Sequence, residues 1–361
     1  MKRLWSVIAV VAAAAVLAAG CGSKADSGTK AAAGSAESTQ ANQPAAGSGG
    51  EKSGEMLVLK LGVPAPAGTV QPNTAELWAD KLEEVSGGKM SIEVLAGGVL
   101  GNTAAHYSQM EQGTLDFFLT GFDTATVLKE GTDFSVCVVP FLFDDLDHYH
   151  KFLDSDILKE MVGKVEAANG LKYMGSISDQ APRSLTTTDK PVHVPADLKN
   201  MKIRTPESPA ITKMLTAWGA NPMVVSGGEL FQALQTGMVD GQDNDLVNSY
   251  TSGFSEVQKY YMNLDYIYSN MVIWMSDKSW NKLTPEQQKW VTDSLAETYK
   301  EASDTLWSTT YEECLKKFQE EGVTYVEVDR EAFIKAAEEV AAKFDGELFS
   351  AGLYDKIKSL K

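Results

Sequence analysis

Between Gly22 and Glu55 the chain contains no Val, Ile, Leu, Met, Phe, Tyr or Trp. This bounds the fold more tightly than any other feature. A run of 34 residues built mainly from Ala, Gly, Ser, Lys, Glu, Gln and Thr has no apolar area with which to offset its ordering entropy. It reads as a flexible tether with a mean span of roughly 30–35 Å. Everything able to build a core therefore lies from Met56 onward, a length that at about 100–200 residues per domain predicts two lobes.

Ahead of the tether lies an export signature. Lys2 and Arg3 precede an uninterrupted apolar run from Val7 to Ala19. Thirteen residues suit a signal segment and fall short of the about 20 needed to span a bilayer. The run ends in Leu17-Ala18-Ala19-Gly20-Cys21, small residues before a cysteine as in a lipobox. Residues 1–21 are thus expected to direct export, with Cys21 lipidated and 22–55 tethering the domain to a membrane surface. No later stretch is apolar for 18 residues, so no transmembrane helix is expected.

With 32 basic and 49 acidic side chains the net charge is −17. That balance repels phosphate backbones and argues against nucleic acid as a partner. It repels small anions too, so any anion site must be built from local donors.

From Met56 the signals alternate. Leu57–Val63, Met90–Leu95, Leu115–Thr120, Lys172–Ser178, Met201–Thr205 and Asn221–Val225 read as strands separated by helical segments, the first of them Asn73 to about Val85. This predicts an α/β fold with largely parallel sheets covered by helices. Thr284 and Pro285 open a helix whose apolar positions step by three or four from Val291 to Leu306, and Tyr311, Cys314, Leu315 and Phe318 continue the face. A helix from Glu286 to Glu321 would be about 50 Å long, more than one lobe can flank, so it must cross both lobes or kink. Cys137 lies in the apolar, strand-like run Phe134–Pro140 and Cys314 far along the chain. One bridge or two thiols are both open from sequence, and the apolar surroundings of Cys137 favour buried thiols.

Enzyme signatures fall away in turn. His106, His148, His150 and His193 have no ligand spacing for zinc. Gly87-Gly88-Lys89 lacks the first glycine of a phosphate loop, and Gly-x-Ser-x-Gly is absent. Asp240, Asp243 and Asp245 have no suitably spaced Gly or distal Glu to make a calcium loop. No catalytic residue, metal or cofactor is expected.

The informative stretch runs from Arg183 to Asn248. Lys202-Ile203-Arg204-Thr205-Pro206 ends a strand before a turn, and Glu229-Leu-Phe-Gln-Ala-Leu-Gln-Thr-Gly237 leads to Asp240-Gly-Gln-Asp-Asn244. Together with Gly87-Gly88-Lys89, Gln112-Gly113-Thr114-Leu115-Asp116, Val139-Pro140-Phe141-Leu142-Phe143 and Leu283-Thr284-Pro285-Glu286, this resembles the DctP-type solute-binding proteins of tripartite ATP-independent periplasmic (TRAP) transporters over Leu57 to Leu348. The resemblance implies a two-lobed periplasmic-binding-protein-like fold with a long helix contacting both lobes. It implies residues 56–180 and 269–308 in lobe 1, and 181–268 and 309–361 in lobe 2. The implied activity is capture of a small organic acid in the interlobe cleft, outside the cytoplasm, for a membrane permease, by a monomer.

Arg204 inherits the family's carboxylate partner, a role suited to a planar guanidinium. Arg183, in Ala181-Pro182-Arg183 where the family has Gly-x-Arg, either touches the ligand or braces the hinge. Asn244 follows Asp243, where relatives carry Glu, and offers both a donor and an acceptor. Gly227 stands where relatives often have a larger cleft residue, and Glu207 where some have Asn. Those two departures point to a bulkier or hydroxyl-bearing ligand. Gly121 and Phe122 are expected at the cleft border, and Tyr266 and Asn270 on its wall, with Tyr268 and Trp274 nearby. The competing classes are a binding protein of an ATP-driven importer and a lipoprotein enzyme acting on a small acid.

Overall fold

Leu59, Leu61 and Val63 are buried while Val58 and Lys60 are exposed, the alternation of a strand with one covered face, and on the other face only Gly62 is buried, against His106. They form β1 (Leu57–Val63), the first element of a computed structural model that describes residues 56–360. The signal segment, the tether and Cys21 lie outside the described residues. After β1 come α1 (Val70–Ser86), β2 (Met90–Ala96), α2 (Thr103–Gln112), β3 (Phe117–Thr120), α3 (Leu146–Asp154), α4 (Asp156–Asn169) and β4 (Leu171–Thr187). Next are β5 (Lys202–Thr205), α5 (Pro209–Ala217), β6 (Asn221–Val224), α6 (Leu230–Gln235), β7 (Gly241–Asp245) and α7 (Leu246–Thr251). The chain ends with β8 (Tyr260–Ser276), α8 (Asp277–Trp280), α9 (Pro285–Thr305), α10 (Tyr311–Glu320), β9 (Thr324–Val326), α11 (Arg330–Phe344) and α12 (Leu353–Lys358).

The strands run in the order β2-β1-β3-β8-β4-β7-β5-β6, with β9 beside β8. Two parallel groups, β2-β1-β3 and β7-β5-β6, flank a spine of two antiparallel strands, β8 and β4, each 17 residues long. The sequence pattern predicts largely parallel sheets. That holds for the flanks and not for the spine, because β4 and β8 are longer than a crossover strand and pair directly. Their register shifts between Gln180 and Arg183, opposite Ser269 and Ile267, so the ladder is irregular midway along the spine.

Successive residues of the spine serve opposite faces. Ile273 and Met275 join Phe117, Trp78 and Val291 in one apolar cluster, whereas Val272 and Trp274 join Phe118 and Phe134 in another. Burial on both faces explains why Phe117-Phe118-Leu119 and Met271–Met275 read as continuous apolar runs. The same all-round burial misleads at Phe134–Pro140: with no exposed face to impose a period, the run folds as a 3-10 turn over Thr132–Val138. Cys137, within it, and Cys314 of α10 are both free and buried.

The long C-terminal helix starts where its caps demand. Thr284 Oγ1 accepts from Gln287 N, and Gln287 Oε1 accepts from Thr284 N at 2.9 Å, a capping box with Pro285 in the first turn. Helical structure continues to Glu320 through a π-helical turn at Leu306–Thr310. The helix is pinned on both sides of that turn. Ser294 Oγ accepts from Trp78 Nε1 of α1 at 2.9 Å. Near the turn, Asp179 of β4 accepts from Tyr299 Oη (3.1 Å) and Trp307 Nε1 (3.2 Å), and its carboxylate also meets His150 Nε2 at 3.1 Å. Beyond it, Cys314 and Phe318 of α10 pack with Leu246 and Val247 of α7. No helix among the described residues is long and apolar enough to cross a membrane.

Candidate functional site

Both parallel groups point their carboxyl ends at one cavity of about 550 Å³. Pro64 to Pro66 follow β1, Gly97, Gly98, Gly101 and Asn102 follow β2, and Gly121, Asp123 and Thr124 follow β3. From the other group, Pro206 and Glu207 follow β5, Ser226 to Glu229 follow β6, and Asn248 follows β7. Ligands of α/β sheets bind in crevices outside the carboxyl ends of the strands, and here two such ends face each other. The spine supplies the floor through Gln180, Arg183, Ser269 and Met271, at its irregular segment.

Arg204 and Arg183 both reach this cavity, in opposite electrostatic conditions. Arg183 is spent on Asp243: its Nη2 lies 2.5 Å from Oδ2 and its Nε 3.1 Å from Oδ1, while Nη2 also donates to the Asp243 carbonyl at 3.0 Å. Tyr266 Oη donates to the same carboxylate. Burial opposes the Arg183 charge, and the Asp243 carboxylate more than compensates, holding it above its usual range. Arg204 is 5% exposed, and among the described residues its guanidinium makes one hydrogen bond, from Nε to Val225 O at 2.9 Å. It has no ion pair among the described residues, and the rest of its guanidinium borders the cavity. Burial, and secondarily the Arg183 charge, push its pKa down to about 10, so it stays protonated at neutral pH. A desolvated cation without a counter-ion, facing an open cavity, is a site for an anion.

The local sequence puts it there. Ile203, fully buried, seats β5 between β7 and β6. Pro206 then ends the strand, and Ser208 caps α5 by accepting from Ile211 N. Arg204 is thereby held at the last hydrogen-bonded positions of β5, beside Gln242 of β7.

Asn244 lies at the cavity with its Oδ1 accepting from Asn248 Nδ2 at 3.0 Å, which leaves its own Nδ2 without a partner among the described residues. Asp245 caps α7 through Asn248 N (2.8 Å), and burial pushes its carboxyl up to about 6. Asp245 does not line the cavity; the acids on its wall are Asp123, Glu207 and Glu229.

Of the residues singled out in the sequence, Arg204, Asn244, Arg183, Gly121, Glu207 and Gly227 come together at this cavity. Three stand elsewhere. Phe122 stacks on Phe134 with centroids 5.2 Å apart, inside the core. Tyr266 packs against Trp218 at 5.5 Å and reaches the cavity only through Asp243 and Arg183. Asn270 is fully buried, accepting from Tyr149 Oη at 2.5 Å and donating to Ser176 Oγ. All three sit on or beside cleft-lining segments, but their side chains turn to the core face. Sequence reasoning misses Asp123, Gln180 and Asn248. Gln180 and Asn248 carry no local signal. Asp123 carries a weak one, as an acid three residues after a wholly buried strand. Among the described residues no group of His, Cys, Asp and Glu is arranged to hold a metal ion.

Two parallel strand groups joined by a continuous spine, with a buried cation that has no ion pair among the described residues at the cavity between them, define a two-lobed protein with a cleft of ligand size. The chain belongs to the bacterial extracellular solute-binding proteins, family 7 (DctP), the TRAP solute-binding proteins, whose family model matches residues 61–347. It is 28% identical over 295 residues to the sialic acid-binding periplasmic protein SiaP of Vibrio cholerae, covering 80% of this chain and 89% of that one. A TRAP periplasmic solute-binding protein from Citrobacter koseri with bound D-glucuronate superimposes with a TM-score of 0.76 at 29% identity, covering 85% of this chain and all of that one (100%). One from Roseobacter denitrificans with bound L-galactonate gives 0.75 at 26% identity, covering 85% and 99%.

Proposed function

We propose that this protein is the extracytoplasmic receptor of a TRAP transporter, that it captures an organic acid by pairing a carboxylate with Arg204, and that it passes the ligand unchanged to a membrane permease. The observation that carries this reading is the buried, unpaired guanidinium of Arg204 at the cavity. Asn244 Nδ2 is a second donor for a carboxylate or hydroxyl oxygen. Arg183 acts as a brace, its charge already met by Asp243. The sugar-acid ligands of the Citrobacter and Roseobacter relatives agree with a pocket rich in amides and hydroxyls. Gly227 adds room: a Cβ placed there meets nothing within 4 Å.

The lobes divide at the irregular midpoint of β4 and β8, with residues 56–180 and 269–308 in one and 181–268 and 309–361 in the other. A ligand touching both shifts the population toward the closed form by its differential affinity. The domain is held at a membrane by lipid on Cys21, because the tether offers no apolar side chain larger than Ala, apart from Pro44, to replace it. Cys21→Ala is expected to move the protein from the membrane fraction to the soluble extracytoplasmic fraction, and unchanged retention would remove Cys21 as the anchor.

The class is tested by melting curves with a panel of keto-, hydroxy-, dicarboxylic and sugar acids. An acid present at about 100 times its Kd is expected to stabilise the native state by about 2.7 kcal/mol. It should be recovered chemically unchanged, whereas steady turnover by the purified protein would refute the receptor reading.

A further inference from the structure

Five ionisable side chains form part of the cavity wall: Arg183, Arg204, Asp123, Glu207 and Glu229. The charge of Arg183 is met inside the wall by Asp243. A ligand therefore finds one unspent cation and three carboxyl groups. That is an unusual lining for a pocket that takes anions. Once Arg204 has paired with one carboxylate, any second carboxylate on the ligand must settle among acids, in a space where mobile ions screen little.

Of the three acids, Asp123 is the one built into the wall. Glu229 is exposed and its Oε2 accepts from Ser226 Oγ at 2.6 Å, while Glu207, on the turn after β5, is half-buried like Asp123; what sets Asp123 apart is the wall glycine that opens onto its carboxyl. Asp123 stands on the 3-10 turn that follows β3 and feels the charges of Arg183 and, less strongly, Arg204. Desolvation at the cavity wall raises its pKa. Beyond its own backbone amide, no group donates to its carboxyl among the described residues. The chain makes room for it at Gly121, where a Cβ would fall 2.6 Å from Asp123 Oδ1. An acceptor placed this way, with no other donor among the described residues, suits ligand hydroxyls, and other wall positions carry amides and alcohols: Gln180, Asn248, Thr120 and Ser269.

We propose that Asp123 is a specificity-determining residue, whose carboxylate accepts hydrogen bonds from the hydroxyls of a singly charged polyhydroxy acid and turns away acids that carry a second carboxylate. This rests on the reading that Arg204 binds the first carboxylate. The test is titration calorimetry of the wild-type protein and Asp123→Asn with matched pairs that differ only in whether the far end is an alcohol or a carboxylate: D-gluconate against D-glucarate, D-galactonate against galactarate, and D-erythronate against the tartrate of the same configuration.

The wild-type protein is expected to favour at least one monoacid over its diacid by about 100-fold or more, since like charges brought together cost several kcal/mol. In Asp123→Asn the preference should shrink about tenfold or more, chiefly because the diacid binds better. Asn keeps the shape and one acceptor oxygen. Asp123→Ser, which also removes the charge, serves the same comparison if the Asn variant melts early. A wild-type protein that binds a diacid as tightly as its monoacid, or a preference unmoved by both substitutions, overturns the role of Asp123 and leaves the receptor reading standing. If none of the monoacids binds, the proposal falls. If no acid of the wider panel binds either, the receptor reading falls with it.

Discussion

Arg204→Ala is expected to weaken ligand binding by roughly 30-fold to several thousand-fold, the equivalent of about 2–5 kcal/mol. The effect is large because the ligand carboxylate loses its partner in a cavity where water replaces it poorly. Removing one side of a desolvated charge pair leaves the other side's desolvation uncompensated. Arg204→Lys should recover only part of the loss. An ammonium restores the charge, but not the two-pronged geometry of the guanidinium, nor a donor placed like Nε on Val225 O. The folded protein should tolerate the alanine well, because Arg204 has no ion pair to break among the described residues and its burial opposes its charge. Calorimetric titration with a bound acid, beside melting curves, separates the two quantities. Near-native affinity in a well-folded Arg204→Ala protein would take Arg204 out of the site.

Asp243→Asn is expected to do the reverse, costing about 3–5 kcal/mol of stability and affecting binding mainly through that loss. The Asp243 side chain is wholly buried and that of Arg183 is 13% exposed, so the substitution leaves a guanidinium in the interior without its counter-charge. Tyr266 Oη loses the carboxylate it donates to as well. The double variant Arg183→Met, Asp243→Leu should recover most of the stability, since replacing a buried pair by apolar groups of similar volume is often neutral. Urea unfolding of the single and double variants measures the cycle. A stable Asp243→Asn protein would show that Arg183 draws its support from elsewhere. If the double variant also binds the ligand with no more than a modest loss, Arg183 is a brace.

How far each feature could be read in advance depends on the range of the interactions behind it. The helix opening at Pro285 is written in four adjacent residues, because a capping box is a local hydrogen-bond cycle, and the structure has it. β1 has the bounds expected of it, because its alternating pattern reports one covered face. Phe134–Pro140 was illegible for the opposite reason: buried all round, it carries no period, and its 3-10 conformation follows from how the surrounding core closes on it. β7 escaped the strand reading altogether. Its Gly-Gln-Asp-Asn-Asp sequence has no β-branched or aromatic residue, and it is a strand because β4 and β5 pair with it on either side.

The site divides in the same way. Two arginines, each within two residues of a proline, look alike in the chain: Ala181-Pro182-Arg183 and Arg204-Thr205-Pro206. Residue type alone determined that both could meet a carboxylate, and the motif around Arg204 singled it out. Only the tertiary structure decided which of them is free. Antiparallel pairing of β4 with β7 lays Arg183 opposite Asp245 and brings Asp243, 60 residues away in sequence, into its reach, while Arg204 on β5 meets a neutral Gln242 across the strand. A guanidinium's availability is a difference between its desolvation and the charges around it, and those charges come from segments whose distance no local pattern encodes.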